Sequence, residues 1–135
     1  MSNAIYDKGR EGFLAGEIDW DTDVIKAVLI DAADYTVNLA THQFLSDIPP
    51  AARVATSAPL TGKTVADGVA DADDLTFPAV SGDPGEALVL YQDTGTAGTS
   101  RLIAYIDTAA GLPVTPNGGN INVAWDNGAN RIFKL

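Results

Sequence analysis

The sequence predicts a mainly β protein: a single-domain antiparallel β-sandwich or small barrel spanning residues 1–135, with a short N-terminal helix. Three observations predict it. Short runs rich in β-branched and aromatic residues follow one another from Val24 to the end of the chain. Clusters of Gly, Pro, Asp, Asn and Thr separate them. Only the segment up to Gly16 lacks that pattern.

That first segment, Ala4–Ala15, reads as a helix with Asn3 as N-cap and Gly16 as its stop, turning Ile5, Phe13 and Leu14 to one side. Gly9 and Gly12 inside it each cost roughly 1 kcal/mol relative to alanine, so the helix needs a surface to dock on. It also holds Lys8 and Arg10, two of only eight Lys and Arg residues. Ile5, Lys8, Arg10, Phe13 and Leu14 are therefore candidate partner-binding residues, and residues 1–16 are expected to be an attachment or intersubunit arm. The alternative is a helix that caps its own sandwich.

The expected strands are Val24–Ile30, Arg53–Thr56, Leu75–Val80, Ala87–Tyr91, Leu102–Ile106, Ile121–Trp125 and Arg131–Leu135. Ile121, Val123 and Trp125 alternate with Asn122 and Ala124, as in a half-buried strand. Asn127-Gly128 then reads as the turn of a hairpin into the last strand, because both residues tolerate positive φ. Asp93–Ser100 reads as a loop joining two apolar strands. Those two strands, Ala87–Tyr91 and Leu102–Ile106, are apolar on both faces. Coverage of the outer face by a neighbouring copy would explain this, which makes Leu90, Ile103 and Tyr105 candidate oligomer-interface residues and predicts a homo-oligomer, for which a trimer is one form. The alternative places both strands centrally, under the chain's own loops.

Chemistry is sparsely represented. The chain has no cysteine and a single histidine, His42, so neither a disulfide framework nor a thiolate metal site is available. Asp93-Thr94-Gly95 matches the tripeptide of aspartic proteases, but Gln92 stands where an apolar residue should precede the aspartate, and the three residues equally suit a hairpin turn. "SAPLTGKT" ends like a phosphate-binding loop, yet Ser57 replaces the first glycine and turn-like acids follow in place of a helix. Asp19, Asp21 and Asp23 space like the start of an EF-hand, but Val24 and Ile30 occupy the glycine and glutamate positions. Asp67, Asp71, Asp73 and Asp74 form a second acidic patch around a hairpin-like Asp67-Gly68; a solvated loop is the simpler reading, with an irregular cation site as its alternative. His42 has no serine in a nucleophile-elbow context to activate. No catalytic residue, metal or cofactor is expected, and the chain is expected not to be an enzyme.

A formal net charge of −10 with scattered basic residues disfavours a nucleic-acid partner. The N-terminus lacks an apolar signal-like region, and no stretch approaches the ~18 apolar residues of a membrane helix, so no membrane association is expected.

"NAIYDKGREGFLAGEIDW", "KAVLIDAADYTVNLATHQFLSDIP", "ARVATSAPLTGKT", "EALVLYQDTGTAGTSRLIAYIDTAAGLPVTPNGG" and "INVAWDNGANRIFKL" together resemble a family of small, cysteine-free structural proteins of tailed bacteriophages and prophages. The similarity covers nearly the whole chain and is closest to capsid decoration, or cement, proteins. It implies a virion protein made in the host cytoplasm, placed on the capsid surface, with the major capsid protein as partner. A tail or fibre-associated module recognising a host surface glycan, through loops such as Asp93–Ser100 and Leu112–Gly119, is the alternative. The resemblance carries over no functional residue.

Overall fold

The computed structural model describes residues 4–107, 112–125 and 132–134. Its elements in chain order are β1 (Ala4–Ile5), α1 (Asp7–Leu14), β2 (Ile25–Ile30), β3 (Arg53–Thr56), β4 (Thr64–Ala66), β5 (Val69–Asp71), β6 (Leu75–Phe77), β7 (Ala87–Gln92), β8 (Leu102–Ile106), β9 (Ile121–Val123) and β10 (Phe133–Lys134). The protein is mainly β and its pairings are antiparallel. A five-stranded sheet in the order β1-β8-β7-β2-β3 is accompanied by a three-stranded sheet, β10-β5-β4, and a two-stranded one, β6-β9.

The two-sided apolar character of β7 and β8 is met within the chain. Both lie at the centre of the large sheet, with β7 paired to β2 from Ile25↔Gln92 to Ile30↔Ala87 and to β8 from Leu88↔Ile106 to Tyr91↔Leu102. One face sends Ala27, Leu29, Leu88, Leu90 and Ile103 into a core shared with Leu75, Phe77, Val123 and Trp125 of the smaller sheets and their flanks. The other sends Val28, Ile30, Val89, Tyr91 and Leu102 against Tyr6, Tyr35, Ile48 and Ala52. Each buried Val, Leu, Ile or Phe among them contributes about 1.5–3 kcal/mol.

This corrects the expected oligomer interface. Leu90 and Ile103 are 0% exposed and Tyr105 is 6% exposed, all enclosed by the chain's own residues. The second face is covered by the connection between β2 and β3, which the sequence does not mark because it folds mostly as turns and two short 3-10 segments, Leu45–Asp47 and Pro50–Ala52.

The N-terminal segment is also corrected. Ala4–Ile5 is a strand, not the first turn of the helix: Ala4 pairs with Tyr105 and Ile5 with Ala104. The edge of β8 offers backbone partners and a core position for Ile5, and these outweigh local helix propensity. Tyr6, in an extended conformation, donates its backbone N–H to Ile103 O at 2.9 Å and precedes α1 as its cap residue. The expected cap, Asn3, lies outside the described residues. The helix stops where expected, at Gly16 with φ of 74°. Ile5, Phe13 and Leu14 do not share a face: Ile5 is buried in the sheet, Phe13 packs half-buried against Phe133, and Leu14 is 89% exposed.

Gly9 lies against the backbone of β8. A Cβ placed there would sit 2.8 Å from Ile103 O and 2.9 Å from Leu102 O, so α1 approaches the sheet more closely than any other residue type would permit.

Two pairings differ from expectation. β9 pairs with β6, Ile121 facing Phe77, and β10 pairs with β5, Phe133 facing Ala70, so the last two strands belong to different sheets and form no hairpin with each other. The Asn127-Gly128 turn falls outside the described residues. The β4–β5 hairpin was expected only as a turn: Asp67 (φ 53°) and Gly68 (φ 78°) form its tip, and its strands are three residues each. No helix among the described residues is long and apolar enough to cross a membrane.

Candidate functional site

The residues that surround an open cleft come from four places in the chain. Past α1, the backbone doubles back: Glu17 and Ile18 both donate their N–H groups to Gly12 O, at 2.8 and 3.2 Å. The Asp19–Asp23 turn then closes on itself, with Asp19 N–H donating to Asp23 Oδ2 at 2.8 Å and Asp23 N–H to Asp19 O at 2.9 Å. Gln92 Nε2 fastens this loop to the end of β7 by donating to Glu17 O at 2.7 Å and Asp23 Oδ2 at 2.6 Å. An Arg101–Glu17 ion pair adds to the same anchor.

Trp20, at the tip of that turn, points inward. Its indole N–H donates to Asp71 O at 3.1 Å, and its ring meets Phe133 edge to face at 5.2 Å between centroids. Phe13 of α1 lies 6.0 Å from Phe133 on the other side. Together with Ile18, Val65 and Val69 these rings line a mainly apolar cleft of about 350 Å³, and Asp19 and Asp21 also line it. Val65, 57% exposed, belongs to the outward side of the β4–β5 hairpin.

The two carboxylates at the cleft are in direct conflict. Hydrogen bonding with Asp21, and with the hydroxyl and backbone of Thr22, holds Asp19 below the ordinary carboxylate range, and Asp19 pushes Asp21 above it. Lys63 lies close enough to ease the charge on Asp21, but its ammonium donates to the carbonyl oxygen of Asp23.

Of the five expected partner-binding residues, Phe13 alone lines the cleft, and Leu14 follows it in α1 with its side chain in solvent. Lys8 pairs with Glu11 at 3.0 Å and Arg10 with Asp7 at 3.2 Å, both along the helix itself. Arg10 also donates to Ile5 O at 3.2 Å. The apolar side chains of the cleft missed in the sequence include Ile18, Trp20, Val65, Val69 and Phe133. The available signal was Trp20, an aromatic side chain standing among three aspartates, which needs a covered place that its neighbours do not.

The second acidic patch serves its own loops. Asp67 forms the hairpin tip, Asp73 Oδ2 accepts from Thr61 Oγ1 at 3.3 Å, and Asp74 Oδ1 accepts from Trp125 N–H at 3.0 Å. Asp71 Oδ1 accepts from Ala72 N–H at 2.9 Å. Elsewhere Asp31, Asp34 and Asp83 bring carboxylate oxygens within 4.8 Å of one another, and nothing beyond these acids points to an ion there.

Asp93 is held in its turn as the hairpin reading requires. Its Oδ1 accepts from Gly95 N–H at 3.0 Å, Gly95 has φ of 86°, and Oδ2 pairs with Lys26 at 2.9 Å. Lys26 and the Gly95 N–H hold its carboxyl below the ordinary range, with burial opposing. A carboxylate more acidic folded than unfolded stabilises the protein above the ordinary aspartate range, and that contribution is lost as pH falls through the folded value. Asp93→Asn is therefore expected to keep the turn and cost about 0.5–1 kcal/mol near neutrality. Urea midpoints of the two proteins should converge in acid; a gap that stays constant with pH would contradict the ion-pair assignment.

The other groups read for chemistry are tied into structure. Thr64 after Gly62-Lys63 opens β4, so no helix N-terminus follows the phosphate-loop-like run. His42 Nδ1 meets the Tyr35 hydroxyl at 2.7 Å, its ring stacks on Tyr35, and Tyr35 in turn meets the hydroxyl of Tyr6 at 2.8 Å. Burial pushes the Tyr35 hydroxyl up to about 12 and the Tyr6 hydroxyl far above the phenol range, so both stay protonated donors. This buried line ties the N-terminal segment to the β2–β3 connection. Neither the protein-family models nor the curated proteins searched give a match to this chain.

Proposed function

We propose that the chain is a structural virion protein of a tailed bacteriophage, a capsid decoration protein that binds the major capsid protein on the outer surface of the shell and stabilises it. The sequence resemblance supplies the class. The observation that supports an attachment role is the open aromatic cleft with its exposed apolar surroundings. Among the described residues the exposed large hydrophobics are Leu14, Val24 and Val65; Val65 lines the cleft and Leu14 adjoins Phe13. With β7 and β8 covered by the chain itself, we assign the attachment face to this cleft, which Phe13 of the expected arm lines, and the assignment requires no second copy. The glycan-binding alternative gains less support, because Thr94, Thr99 and Ser100 of the Asp93–Ser100 loop bond chiefly with one another and with Thr96 O.

Purified protein added to particles that lack it is expected to co-sediment to saturation, at a ratio set by the subunits of the shell. A Leu14→Asp/Val65→Asp double variant should fold normally, since exposed substitutions change stability by about 0.5 kcal/mol or less each, yet bind at least about tenfold more weakly. A wild-type protein that stays in the supernatant, or a double variant that binds equally well, would overturn the reading.

A further inference from the structure

We propose that the cleft receives an arginine side chain presented by an exposed segment of the partner protein. This deepens the attachment reading and rests on it for the source of the cation.

The walls of the cleft are mainly apolar and in part aromatic. Phe13, Trp20 and Phe133 offer ring faces and edges around a space of about 350 Å³, the small end of ligand sites and suited to one long side chain. An aliphatic residue would fill that volume but bring no positive charge to Asp19 and Asp21, which line it. A carboxylate would meet two like charges. A guanidinium stacks on aromatic rings, and its planar fork reaches two carboxylate oxygens at once, so its stem and head match the two parts of the cleft.

The electrostatics point the same way. Asp19 and Asp21 both line the cleft, and Asp19 raises Asp21 above the ordinary carboxylate range, the mark of two negative groups set close together. Lys63 eases the charge on Asp21 from a distance while its ammonium donates to the carbonyl oxygen of Asp23, and Arg101 pairs with Glu17. An arriving guanidinium would relieve that repulsion, and a net charge of −10 favours the approach of a basic segment.

The probe is the peptide acetyl-Gly-Arg-Gly-amide, with its citrulline counterpart as the neutral isostere. The readout is the indole N–H resonance of Trp20, with that of Trp125, bonded to Asp73 O at 3.0 Å, as an internal control. The arginine peptide is expected to shift Trp20 saturably. The citrulline peptide should bind at least about fivefold more weakly, and an Asp19→Asn/Asp21→Asn protein should bind arginine about tenfold more weakly while keeping its unliganded spectrum. Equal binding of the two peptides, or no saturable shift of Trp20, would overturn the inference.

Co-sedimentation with particles separates this from the attachment reading. If the wild-type protein binds particles and the Asp19→Asn/Asp21→Asn protein binds equally well, the inference is overturned and the attachment reading stands. If the wild-type protein does not bind particles at all, the attachment reading fails, and with it the partner named here, whatever the peptide does. Loss of particle binding in the double variant, together with the arginine preference at Trp20, supports both.

Discussion

Gly9→Ala is expected to destabilise the protein by about 2–3 kcal/mol, the cost of forcing extra volume into a packed contact. In the interior of a free helix the same change is favourable by roughly 1 kcal/mol, so the two settings predict opposite signs. The difference is the backbone of β8, whose Leu102 and Ile103 carbonyl oxygens would lie within 2.9 Å of the new methyl group. Neither oxygen can swing aside as a side chain could, because both belong to a central strand of the large sheet. Equilibrium unfolding in urea measures the effect directly. A more stable Gly9→Ala protein would mean that α1 is undocked, as an arm would be.

The second large effect is expected from deleting residues 2–16. The deletion removes β1 from the edge of β8, takes Ile5, Tyr6 and Phe13 out of the two cores, and leaves Tyr35 without its buried hydroxyl partner. At about 1.5–3 kcal/mol for each buried side chain, the loss is comparable to the whole stability of a small domain. The truncated chain should fail to unfold cooperatively on heating and should show poorly dispersed amide resonances. A well-folded truncated body would contradict the integral role of this segment and restore the arm.

Much of the sheet was legible because its signals are local. Arg53–Thr56 and Leu102–Ile106 are strands over the residues expected, and Ala87–Tyr91 extends by only Gln92, since each is an apolar run bounded by turn-forming residues. The Asp93–Ser100 loop joins the strands it was expected to join, with Gly95 supplying the positive φ. What stayed hidden depends on distant partners. β1 is two residues long and exists only by pairing with the side of β8 that β7 leaves open, and β4 is exposed throughout, so neither carries an alternation to read. The partners of β9 and β10 are set by packing across the molecule, against which a local Asn-Gly signal has little weight.

Gly9 shows the same limit. In the sequence it weakens a helix; in the structure it permits that helix to lie on the sheet. The cleft was legible only in part: Phe13 was identified as an apolar anchor, whereas Trp20 was masked by the aspartates beside it, which invited a comparison with calcium loops. Two of those aspartates, Asp19 and Asp21, line the cleft.

The proposed role depends on where the protein sits. An image reconstruction of particles carrying the wild-type chain, set against one of particles lacking it, measures this most directly. The expected result is difference density repeated over the outer face of the shell, with the end bearing Leu14, Val65 and Trp20 turned toward the capsid protein. Difference density confined to the tail, or a body attached by the opposite end with the cleft open to solvent, would contradict it.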